Sequence, residues 1–128
     1  MGGELGFFCK FLKIKKCLKM SEINKLTKKL VEFRDERDWK KFHNPKDLAI
    51  AINIESSELL ENFLWKSSKE ADLEKVKEEL ADIFCYALLL AESYELNVGK
   101  IITDKITKNN QKYPIEKAKG SNKKYNQL

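Results

Sequence analysis

Two pairs of acidic residues share one spacing, Glu55 with Glu58 and Glu79 with Asp82, each pair three residues apart. On a helix that spacing puts both side chains on neighbouring turns of one face. Glu55 with Asp82 and Glu58 with Glu79 have residue numbers that both add to 137, so an antiparallel hairpin turning near residue 68 sets the pairs opposite each other. Four carboxylates held between apolar helices repel one another and lose hydration unless a cation neutralises them. Oxygen donors without His or Cys select a hard ion, Mg²⁺, with Mn²⁺ as the substitute. A di-iron site built on Glu-x-x-His pairs is excluded, because the single histidine, His43, lies in a loop. Either pair alone would suit a solvated helix face in a chain that is 35% charged. The matching register of both pairs, inside the apolar stretches IAINIESSELLENFLW and VKEELADIFCYALLL, favours the metal site.

The elements that must carry these groups follow from hydrophobic period and capping. Ile23, Leu26, Leu30 and Phe33 recur every three or four residues after the N-cap Ser21, which predicts a first helix to about residue 39. Asn44, Pro45 and Asp47 supply an N-cap, a first-turn proline and a carboxylate that complements the helix dipole. They open a second helix over residues 45–65, apolar on more than one side and so expected to be buried on several faces. The polar residues 66–70 form the connection. Leu73, Val76, Leu80, Ile83, Ala87, Leu90 and Tyr94 stripe a third helix over residues 71–94, and Asn97 caps a fourth that runs to about residue 113. The fold class is all-α. Residues 21–114 make the domain, residues 1–20 a basic extension and residues 115–128 a flexible basic tail.

Composition removes several function classes. With 128 residues there is room for one core. Glycines occur at positions 2, 3 and 6 and then only at 99 and 120, so no phosphate-cradling glycine loop can be written. The net charge of +5 belongs to the ends: residues 1–20 carry +4, residues 112–128 carry +4 and the stretch between carries −3. That distribution argues against nucleic acid as a partner. Three cysteines without a CxxC spacing fit a reduced, cytoplasmic protein. In residues 1–19, Phe7, Phe11, Ile14 and Leu18 alternate with lysines in helical period. This segment is either a basic helix resting on an anionic membrane surface or a dispensable extension ahead of a start at Met20. It is too interrupted by charge to span a membrane or to serve as a secretory signal.

The pattern Glu55-x-x-Glu58, a spacer and Glu79-x-x-Asp82 resembles the signature of the MazG-like all-α nucleoside triphosphate pyrophosphohydrolases. ERDWKKFH, ELLENFLW and KNNQKYP extend the likeness to the dCTP pyrophosphatase branch, over about residues 23–114. The resemblance implies a four-helix MazG-like bundle in a homodimer or homotetramer, with active sites near subunit contacts. It implies hydrolysis of a (deoxy)nucleoside triphosphate, dCTP among the candidates, to the monophosphate and pyrophosphate. Glu55, Glu58, Glu79 and Asp82 would hold Mg²⁺, and Glu61 would orient the attacking water. Trp39 and Trp65 would line the base, with Tyr86, Lys105 and Asn109 near sugar and phosphates. Ser56 and Ser57 stand where the branch often has glycine, and Leu30 where some members have histidine, which leaves the preferred base open. The rival reading is a non-enzymatic, dimerising helical bundle that binds a protein partner and whose acidic residues serve solubility.

Overall fold

The computed structural model describes residues 20–128, and the basic segment 1–19, with both readings attached to it, lies outside the described residues. The described chain is helical throughout, with α1 (Glu22–Glu36), α2 (Pro45–Glu61), α3 (Leu73–Ser93), α4 (Val98–Lys112) and a short α5 (Ile115–Ala118). One-turn 3₁₀ segments at Lys40–Phe42 and Tyr125–Gln127 complete it. None of the described helices is long and apolar enough to cross a membrane.

Side-chain caps fix where the helices start. Ser21 accepts the Asn24 N–H at 3.2 Å, Asn44 accepts that of Asp47 at 3.0 Å, Asp72 that of Glu74 at 3.0 Å and Asn97 that of Lys100 at 2.9 Å. Each satisfies a backbone donor that the helix itself leaves free, a contribution of about 1 kcal/mol.

The helix ends are less obvious from sequence, because two of them use the left-handed terminator without glycine. At the end of α1 the Trp39 N–H donates to the Arg34 carbonyl at 3.1 Å and the Asp38 N–H to that of Asp35 at 3.0 Å. Asp38 sits between them at φ 53°. At the end of α3 the Leu96 N–H donates to Ala91 and the Glu95 N–H to Glu92, both at 2.9 Å, with Glu95 at φ 54°. Both are Schellman motifs, and the first carries the apolar contact that usually accompanies one, Phe33 against Trp39 with ring centroids 5.9 Å apart.

Three predicted boundaries shift. Helix α1 stops at Glu36 instead of 39, and α2 at Glu61 instead of 65; the chain then runs through turns to Trp65, itself left-handed at φ 61°. Helix α3 starts two residues later than expected, at Leu73, because Asp72 takes the capping position.

Helices α2 and α3 pack along one another as the hairpin, and α1 lies against α3. Among the described apolar residues only Leu48, Leu89 and Ala91 are buried. The expectation that α2 is buried on several faces fails within one chain: Ile50, Ile54 and Leu60 remain 47%, 48% and 61% exposed, since nothing in the described chain covers that side. Helix α4 has no buried residue. After Pro114 the chain makes the α5 turn and brings Tyr125 edge-to-face onto Tyr113, with centroids 6.2 Å apart.

Candidate functional site

The hairpin places carboxylates from both helices together. Glu55 and Glu58 of α2 and Glu79 of α3 each offer an oxygen, and these three oxygens lie within 4.8 Å of one another. Asp82 falls outside this tight trio, yet its charge acts on Glu55 and Glu79. Burial first, and then the neighbouring carboxylates Glu58, Asp82 and Glu79, push the Glu55 carboxyl above its ordinary range. Glu79 rises for the same reasons, with Glu78 and Glu61 adding to the repulsion. A cluster whose members raise each other's proton affinity is one that a divalent cation would relieve, and its donors are all carboxylate oxygens.

Two cavities meet at the cluster, and they differ in character. One, of about 270 Å³, is walled by Leu30, Phe33, Trp39, His43, Asp82 and Tyr86. Asp82 thus belongs both to the carboxylates and to an aromatic pocket. Desolvation, then the charges of Glu55 and Asp82, raise the Tyr86 phenol, so it keeps its proton and can donate a hydrogen bond. The other cavity, of about 410 Å³, contains Glu58, Glu61 and Glu79 together with Lys66 and Lys75. Glu61 is therefore on the far side of the cluster from Tyr86.

His43, expected in a loop, is part of the aromatic wall. Its ring is edge-on to Trp39 at 6.5 Å and to Tyr86 at 6.2 Å, and its Nδ1 is buried with no protein partner. The available signal was its place four residues after Trp39, one turn along the Lys40–Phe42 segment. Arg34, also unremarked, is 4% exposed and lines the same pocket.

The remaining predicted residues stand apart. Trp65 is fully exposed, at 100%. Lys105 and Asn109 are exposed on α4 and line neither cavity. Within one chain the structure brings together Glu55, Glu58, Glu61, Glu79, Asp82, Trp39 and Tyr86, and leaves Trp65, Lys105 and Asn109 outside.

An antiparallel helical hairpin with facing acidic pairs defines the class, and a model described as the MazG-like family matches residues 50–128: the chain belongs to this family. The matched span holds all four predicted ligands, while Trp39 and His43 precede it. The chain is 35% identical over 105 residues to dCTP pyrophosphatase 1 of Rattus norvegicus, across 76% of this chain and 62% of that protein. The Homo sapiens protein of the same name is 33% identical over the same shares. The chain thus spans about 62% of the length of these curated relatives. A crystal structure of a pyrophosphatase from Archaeoglobus fulgidus superposes with a TM-score of 0.69 at 41% identity, covering 74% of this chain and 94% of that one.

Proposed function

We propose that this protein is a Mg²⁺-dependent pyrophosphohydrolase that converts a (deoxy)nucleoside triphosphate to its monophosphate and pyrophosphate. The observation that carries this reading is the convergence of Glu55, Glu58 and Glu79 within 4.8 Å beside an aromatic pocket that shares Asp82. A nucleotide has the matching polarity, an apolar base at one end and a polyphosphate at the other. The relatives named for dCTP, at 33–35% identity, make dCTP the first substrate to try.

In this reading Glu55, Glu58, Glu79 and Asp82 hold the ion, with Mn²⁺ able to replace Mg²⁺. When bound, the ion neutralises charge on the phosphate oxygens and lowers the pKa of water. Trp39 offers its face to the base, a stacking contribution of about 1 to 3 kcal/mol. His43 completes the wall beside the base, edge-on to Trp39 and Tyr86, and Tyr86 donates toward the sugar or the first phosphate. Glu61, across the cluster, orients the attacking water and takes its proton.

Trp65, Lys105 and Asn109 act from a neighbouring copy in a homodimer or homotetramer. Two observations support this. A bulky aromatic held at φ 61° and fully exposed is an unfavourable arrangement unless something covers it. Phe84, Ile50, Ile54 and Leu60 leave an apolar surface on the hairpin that a second chain would bury. Cytoplasmic residence completes the reading, in keeping with a free, half-buried Cys85.

A panel of dNTPs and NTPs with Mg²⁺, scored for pyrophosphate release, tests the proposal and names the base. Release that Glu58→Gln abolishes supports it; no release from any nucleotide at high enzyme concentration overturns it.

A further inference from the structure

We infer that Glu92 and Arg34 are a positioning pair that sets the base-binding wall, acting on substrate affinity through Trp39 and His43 without touching the substrate's phosphates. The inference rests on the nucleotide reading of the aromatic pocket. Its starting point is a charge in an unexpected place. Arg34 is 4% exposed, the only charged residue buried among those described. Its Nε donates to Asp35 at 2.8 Å and its Nη1 to Glu92 at 3.0 Å. Burying a guanidinium is costly, and an apolar pair of the same volume often gives equal or greater stability. Stability alone is therefore a weak reason for this pair.

Its position in the fold supplies a better one. Arg34 is the residue of α1 whose carbonyl receives the Trp39 N–H at 3.1 Å and the Arg37 N–H at 3.3 Å, so it closes the Schellman turn that aims the indole. Glu92 occupies the matching turn at the end of α3, where its carbonyl receives the Glu95 N–H at 2.9 Å. The side-chain bond joins two helix terminators, each strained by a non-glycine left-handed residue, Asp38 and Glu95. It ties the loop bearing Trp39 and His43 to the helix bearing Asp82 and Tyr86. Arg34 and His43 also form the partition between the aromatic pocket and a second cavity of about 520 Å³ that contains Glu92. Loss of the bond frees the loop to shift into that space, away from Tyr86. The carboxylate cluster sits on the hairpin and is not reached by this movement.

The test uses the full chain with the best nucleotide from the panel, and compares Glu92→Gln, Arg34→Met, Arg34→Lys and the apolar double variant Arg34→Met/Glu92→Leu. Glu92→Gln and Arg34→Met are expected to raise KM about tenfold with kcat within about threefold, since small displacements of a binding wall lose affinity before chemistry. Arg34→Lys, which keeps the charge, recovers part of the KM. The double variant keeps the wild-type melting temperature yet retains the raised KM. In parallel, acrylamide quenching of Trp39, read in a Trp65→Phe background, increases in Glu92→Gln. Unchanged KM and quenching in Glu92→Gln, or a wild-type KM in a stable double variant, would overturn the pair's role. Should the wild-type protein release no pyrophosphate, the nucleotide reading falls by itself, while the Trp39 quenching still decides whether Glu92 holds the loop.

Discussion

Glu58 on α2 and Glu79 on α3 face each other across the hairpin, each with an oxygen within 4.8 Å of the other's and of one from Glu55. Without a cation this contact is repulsive, as the raised proton affinity of Glu79 records. Glu58→Gln therefore has opposite effects on activity and on the metal-free fold. Activity is expected to fall more than about 100-fold, because in the proposed reading the ion would lose a ligand. The metal-free protein melts no lower than wild type, and slightly higher, because one repelling charge is gone. Calorimetry in chelator and in Mg²⁺ reads both; a large drop in the metal-free melting temperature would mean that Glu58 serves the fold.

The same carboxylates set a pH dependence. Glu55 and Glu79 titrate above 4.5, the ordinary glutamate value, when folded. Between that value and the raised one the folded state binds more protons than the unfolded state, so stability falls as pH rises through this window. In the proposed reading Mg²⁺ would remove the effect by stabilising the deprotonated forms. Melting curves across acidic to neutral pH are expected to slope downward in chelator and to flatten or reverse with Mg²⁺. A flat profile in chelator would contradict the crowding of the acids.

Trp39 is half in and half out of the pocket, 43% exposed and held edge-on by Phe33. If it stacks on the base, Trp39→Ala costs about 1 to 3 kcal/mol, roughly 5- to 150-fold in KM. Trp39→Phe, which keeps a π-face, costs less. Equal losses in both variants, carried by kcat, would place the indole outside the base site.

With so few apolar side chains buried in one chain, association should be measurable as stability. The melting temperature is expected to rise with protein concentration, and Phe84→Lys, at a site 60% exposed in the single chain, to weaken the assembly and lower activity together. Light scattering checks the mass. A monomer with a concentration-independent melting temperature would remove the neighbouring-copy role given to Trp65, Lys105 and Asn109.

The hairpin register was legible in the sequence because helix pitch is fixed: once the turn lies near residue 68, Glu58 has to meet Glu79. The N-termini of α1, α2 and α4 were legible for a similar reason, since Ser21, Asn44 and Asn97 cap by local hydrogen bonds; that of α3 was set two residues early because Asp72 is the cap. The ends of α1 and α2 were not, because Asp38 and Trp65 beyond them adopt the conformation that glycine usually signals. Arg34 and His43 were not legible because their partners, Glu92 and Tyr86, lie on α3, far away in the chain. The exposed sides of α2 were misread as core because an apolar face predicts burial without saying which chain provides the cover.

The glycine-free terminators leave this protein with an easily reached thermostabilising change. Glu95 holds a left-handed backbone angle with a side chain that makes no hydrogen bond or ion pair among the described residues. Replacing it with glycine removes a steric penalty of about 1 kcal/mol and should raise the melting temperature by several degrees. Trp65, equally strained, does not offer that option if the same indole closes over the substrate. Comparing Glu95→Gly with Trp65→Gly would thus separate backbone tension that is incidental from tension maintained for turnover.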